Sequence, residues 1–228
     1  MNPYVDHSHA VPSSSLMTRV FSWMFAGLSL TAIISALLLT DGRMIDYFYY
    51  HRPVFYGLMI FELVLVFFLA ARVYKMSVGT ATLVFFLYAT LNGVTLTPLL
   101  ALYTGSSILG VFVTAAGMFG AFALYGAITK KDLSKLGSIF LMALIGLIIA
   151  TVVNMFLNNG MLSMILCYIG VIIFCGLTAY DIQNIKRQAQ MAMDEDTHTK
   201  VAILGALNLY LDFINIFIYL LRLFGSRD

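Results

Sequence analysis

Apolar residues run in blocks of about twenty along nearly the whole chain, separated by short polar connections. A helix of ~20 such residues crosses the ~30 Å hydrocarbon core of a bilayer, so each block predicts a membrane span. The blocks fall at 17–40, 53–75, 79–103, 108–129, 134–157, 161–183 and 201–224, predicting seven. Links such as KMSVG (75–79), YTGSS (103–107), KKDLSK (130–135) and NNG (158–160) are too short for anything but antiparallel neighbours in one bundle. Only IKRQAQMAMDEDTHTK (185–200) is long and polar enough for an excursion, and its mixed charge predicts a solvated loop or short surface helix. The expected fold class is all-α integral membrane: one seven-helix domain over 17–228, behind a polar tail at 1–16. The pairs Ala116 with Gly120 and Gly146 with Ala150 have the small-xxx-small spacing that permits close helix packing.

Composition removes the soluble alternatives. The chain is 61% hydrophobic and 11% charged, with a mean hydropathy of +0.92; soluble domains are roughly 25% charged. The net charge of +2 and the absence of a basic run give no footing for a nucleic-acid partner. The two cysteines, Cys167 and Cys175, fall eight residues apart in one predicted helix. That is ~12 Å, too far for a disulfide, and neither has zinc-spaced neighbours, so they read as packing residues. His7 and His9 read as part of a solvated tail, and no tightly bound cofactor is implied. The apolar run from Phe21 to Leu39 exceeds the 7–15 residues of a secretory signal, predicting an uncleaved first span.

Lys and Arg set the expected orientation. With the N-terminus in the cytoplasm, that side receives Arg19, Arg72, Lys75, Lys130, Lys131, Lys135, Lys186, Arg187 and Lys200, and the other receives Arg43, Arg52, Arg222 and Arg227. Nine against four predicts a cytoplasmic N-terminus.

The last span carries the chemistry. Steps of three and four from Gly205 meet Asn208, Asp212, Asn215, Tyr219 and Arg222, all on one helical face, while Leu207, Leu211, Ile214, Ile218 and Leu221 supply an apolar one. A polar seam cannot face lipid, so the stripe is expected to face the bundle interior or a water-filled cavity. An intramembrane carboxylate marks a functional site by default; the structural alternative is a carboxyl group that ties helices together through Asn or Tyr partners. Other intramembrane polar groups are Glu62 in the second span, Asp181 near the end of the sixth, Asn154 in the fifth, and Tyr88, Asn92 and Thr95 on one face of the third, where Pro98 marks a kink site. Arg72 and Asp181 reach the same membrane face, where a salt bridge is possible, although Arg72 taken alone fits a snorkelling interface residue. Asp212 lies ~16 Å inside a helix that starts at 201. The two aspartates can therefore meet only if the sixth helix ends below the surface or the seventh begins outside it.

These segments, GLTAYDIQNIK (176–186), LGALNLYLDFINIFIYLLRLFG (204–225), ELVLVFFLAARV (62–73) and AAGMFGAFALYGAITKKDLSKLG (115–137), resemble the Bax inhibitor-1 family, in particular its bacterial members. The resemblance covers the chain from about residue 17 onward. It implies six helices around a central polar seventh, acting as a pH-sensitive calcium leak of the bacterial inner membrane. It also implies a hydrogen-bonded, proton-sensing pair, Asp181 with Asp212, and an arginine latch, Arg72. Asn208, Asn215, Tyr219 and Glu62 are expected to line the pore, and the aspartates to meet calcium in transit. Calcium favours six to eight oxygens, more than this stripe offers, which suits passage better than storage. The acidic linker between the aspartates is longer than in some bacterial relatives.

Two other functions compete. AYD at 179–181 resembles the first motif of presenilin-like aspartyl proteases, but Leu209, Tyr210 and Leu211 stand where the second motif needs GxGD, and no Pro-Ala-Leu follows. The expectation is a protein that is not an enzyme. The remaining alternative, also carried by the family resemblance, is an interaction protein that modulates a membrane-bound ATP-dependent protease or a stress pathway through its tail and residues 185–200.

Overall fold

The computed structural model describes residues 13–191 and 194–227. The seven predicted spans are present as α1 (Ser13–Asp41), α3 (Arg52–Arg72), α4 (Val78–Leu100), α5 (Gly105–Ile128), α6 (Ser134–Leu157), α7 (Gly160–Met191) and α8 (Glu195–Phe224). An eighth helix, α2 (Arg43–Tyr50), was not expected. Gly42, in the left-handed region at φ 68°, ends α1 and lets the chain turn into it. Phe48 is buried, while Tyr47, Tyr49 and Tyr50 are exposed, the arrangement of an aromatic-rich segment at a membrane interface. The tail histidines His7 and His9 lie outside the described residues.

α8 is the core of the bundle. Of its most apolar window 72% is buried, against at most 44% for any other span. It packs against α1, α4, α5 and α7, while α3 leans on α4 and α6 on α7. The helix ends form two sets. The near end holds the start of α1, the α3–α4 and α5–α6 turns and the α7–α8 hairpin; the far end holds α2, the α4–α5 and α6–α7 turns and the end of α8.

In place of the expected solvated loop or short surface helix, 185–200 is made mostly of the extended ends of two spans. α7 runs on to Met191 and α8 starts at Glu195. Asp194 caps α8, accepting from the backbone N–H and the hydroxyl of Thr197, each at 2.7 Å, which satisfies donors that a helix start leaves open. The α7 extension is clamped to the α5–α6 turn. Gln183 accepts from the Leu133 N–H at 2.8 Å and donates to Lys131 O at 2.9 Å, Lys186 donates to Ala127 O at 2.6 Å, and Arg187 holds Asp132 at 2.5 Å as well as Ser134. These bonds hold Asp132 ionised to well below the usual carboxylate range, chiefly through the Arg187 guanidinium and the Ser134 N–H. An Arg19–Glu195 ion pair ties α1 to the start of α8.

Of the predicted small residues Ala150 packs against the core, but the two glycines bring no helices together. Gly120 and Gly146 face open space. The close approach is at Gly126 on α5, where a Cβ would lie 2.2 Å from the Ala179 carbonyl oxygen of α7. Spacing alone cannot separate these cases, because which glycine meets a neighbour depends on helix rotation.

Candidate functional site: a carboxylate cavity beside the central helix

Toward the near end, α8 borders a cavity of about 450 Å³ whose walls also come from α3, α6 and α7. Asp212 and Asn208 enter it from α8, Asp181 and Asn184 from α7, and Phe67, Leu141 and Phe174 are among its apolar walls. Asp212 is 4% exposed, and its Oδ2 is buried with no hydrogen-bond partner. On α7 the polar groups that bear on it are the carboxyl group of Asp181 and the hydroxyl of Thr178, which also donates to Phe174 O at 2.8 Å. The helix extension explains how they meet, since α8 begins six residues earlier than expected, outside the apolar layer.

Asp181 and Asp212, from neighbouring antiparallel helices, line this same cavity, and because helical side chains lean toward their own N-termini the two incline toward each other. Among the described residues, no group of three or more His, Cys, Asp or Glu side chains could hold a metal ion.

Arg72 is not at the site. It is exposed at the end of α3 and, among the described residues, forms no ion pair. Val66, Phe67 and Ala70 are the α3 residues that reach the cavity. At 100° per residue, Arg72 projects about 200° from Ala70, away from both aspartates. Glu62 does not line the aspartate cavity either. It is 8% exposed and accepts from the Thr95 hydroxyl at 2.9 and 3.1 Å, forming a separate polar cluster with Tyr88 and Asn92 between α3 and α4.

The stripe on α8 is not one continuous pore wall. Asn215 donates back to Leu211 O at 2.8 Å. Tyr219 lines a second cavity, of about 330 Å³, at the far end. Its ring sits against Gly170, where a Cβ would approach to 2.5 Å, and 6.0 Å from the ring of Phe174, which lines the near-end cavity. Aromatic packing thus separates two polar cavities that share the helix. Sequence reading missed Thr178, Asn184 and Phe174. The same stepping was available on α7, where Phe174, Leu177, Asp181 and Asn184 follow at three, four and three.

A family model described as inhibitor of apoptosis-promoting Bax1 matches residues 13–228. The chain belongs to the Bax inhibitor-1 family. It is 45% identical over 213 residues to the inner membrane protein YbhL of Escherichia coli K12, covering 92% of this chain and 91% of that protein. An uncharacterized protein of Deinococcus radiodurans is 40% identical over 215 residues, covering 94% and 91%. The uncharacterized membrane protein SpyM3_0260 of Streptococcus pyogenes is 36% identical over 231 residues, covering each chain completely. With seven helices long and apolar enough to cross a bilayer, this family member is a membrane protein.

Proposed function

We propose that this protein is a pH-sensitive calcium leak of the inner membrane, with its near end in the cytoplasm and Asp181 and Asp212 as the proton-sensing pair. The observation that carries the reading is the buried, unpartnered Oδ2 of Asp212 beside a cavity shared with Asp181. A buried carboxylate oxygen lacking a donor costs free energy unless a proton, water or cation reaches it. Two carboxyl groups in one poorly hydrated cavity titrate as a coupled pair, because ionising both brings like charges together. Proton occupancy would then set the repulsion between α7 and α8, and through it the packing of Phe174 on Tyr219 one to two turns deeper. Calcium would pass as cargo: two carboxylates with Asn184 and Asn208 supply fewer oxygens than its preferred six to eight. The positive-charge bias supports the orientation.

Dye-loaded liposomes containing the purified protein test this across pH 6 to 8. Calcium entry above that of empty liposomes is expected, with a pH dependence that flattens in Asp212→Asn and in Asp181→Asn. Flux indistinguishable from empty liposomes sinks the leak and favours the interaction protein; pH-dependent flux unchanged in both variants removes the aspartates from the sensor.

A further inference from the structure

The far end has the opposite chemistry, and the calcium reading makes no use of it. Arg222, from the last turn of α8, lines both the cavity described above and an adjoining one of about 440 Å³, which Arg227 also lines. Arg227 is held in place. The Thr104 N–H donates to Ser226 O at 3.1 Å, the Ser226 N–H donates to Ser107 Oγ at 2.8 Å, and the guanidinium lies 5.8 Å from the centre of the Tyr103 ring. The C-terminal segment is thereby fastened across the α4–α5 turn.

Among the described residues no carboxylate lines either cavity and neither arginine has an anionic partner. The remaining polar lining suits an anion. Ser163 contributes a hydroxyl to both cavities, and Asn154, Asn158 and Asn159 contribute amides to the one that Arg222 lines without Arg227. The 32-residue helix α7 starts there at Gly160. Asn159 Oδ1 caps the Leu162 N–H at 3.0 Å and the Asn159 carbonyl accepts from the Ser163 N–H at 2.9 Å, so the N–H groups of Gly160 and Met161 are the donors left at the positive end of that helix. Guanidinium groups match the oxygen pairs of phosphate in a fork geometry and hold them with charge-assisted hydrogen bonds. Below the arginines the wall turns apolar at Leu99, Leu102 and Met164, the last two exposed.

We propose that the far-end cavity that both arginines line is a binding site for a phosphate group, held by Arg222 and Arg227 where the two cavities adjoin at Gly160 and Ser163. The source is a free phosphate or the headgroup of an anionic phospholipid whose chains run down the Leu102 and Met164 side. Bound there, it offsets two positive charges at the end of the bundle.

The full-length protein in maltoside micelles allows both sources to be tried. One arm follows thermal unfolding with inorganic phosphate against sodium chloride at matched ionic strength; the other counts phosphatidylglycerol retained in native mass spectrometry against phosphatidylcholine. At least one arm is expected to respond, with apparent affinity at least tenfold weaker in Arg222→Gln and in Arg227→Gln. Arg222→Lys, which keeps the charge without the fork, should fall in between. A response to inorganic phosphate supports a soluble ligand, and selective retention of phosphatidylglycerol alone supports a lipid headgroup. Wild-type protein that responds to neither, a reading that needs no variant to fold, overturns the proposal. So does binding that survives the double Arg→Gln substitution.

Discussion

The two ends of α8 teach by contrast. Near the hairpin it lends Asp212 to a cavity that also holds Asp181 and that, among the described residues, no arginine or lysine lines; at its other end it lends Arg222 to cavities that no carboxylate of the described residues lines. Both groups belong to one polar stripe, yet between them Tyr219 packs on Gly170 and Phe174. A polar face on a buried helix therefore does not by itself make a pore. It makes polar compartments, and side-chain packing decides whether they join.

The most forceful way to break the contrast is to remove the divider. Tyr219→Ala deletes the ring between the cavities and is expected to raise calcium flux in liposomes at least tenfold at fixed pH. Unchanged flux would mean that the barrier lies elsewhere. Asp212→Asn should have the next largest effect, flattening the flux response between pH 6 and 8 while leaving the far-end phosphate response intact; loss of both would show the ends to be coupled rather than separate.

Thr95→Val probes the third polar cluster. It keeps the side-chain shape but removes the donor to both Glu62 oxygens. Leaving a buried acceptor unsatisfied costs about 1–3 kcal/mol, visible as a lowered unfolding temperature in detergent. Arg72→Gln should change flux less than twofold, because the exposed guanidinium reaches neither aspartate. A larger change would restore the latch that the family resemblance implies.

The smallest effect sharpens the pH argument. Asp132, outside the spans, is depressed by its bonds from Arg187 and Ser134. A depressed carboxylate adds stability that is fully present above its unfolded value of ~3.9 and is lost as pH falls through the lower folded value. Across pH 6 to 8 its contribution is constant, so Asp132→Asn should shift the unfolding temperature by the same small amount throughout. A pH-dependent shift in that window would implicate the α5–α6 turn in sensing.

Much of this was legible in the chain. Seven blocks of spanning length gave seven helices, because a bilayer core admits little besides complete helices of that length. The inward turn of Asp212 followed from the cost of showing a polar seam to lipid. α2 escaped notice because eight residues rich in tyrosine, between two spans, read as a link. At 185–200 the sequence predicts a loop or a short separate helix and not a continuation of both spans, because polar composition marks where a helix leaves the membrane, and not where it stops. The cap at Asp194 and the clamp through Gln183, Lys186 and Arg187 depend on partners from elsewhere in the fold.

The sequence by itself determined the number of spans, the membrane setting and the polar face of the last helix, since helical periodicity and the absence of water in the bilayer act on each segment alone. Only the tertiary structure decided which polar groups meet. It put Asp181 and Asp212 on one cavity, turned Arg72 away, gave Glu62 to Thr95, and collected Arg222 and Arg227 at the opposite end. Those outcomes depend on the rotation and axial offset of each helix against its neighbours. Contacts such as Gly126 on Ala179 and Gly170 on Tyr219 set them, and a single-segment pattern carries no information about the partner.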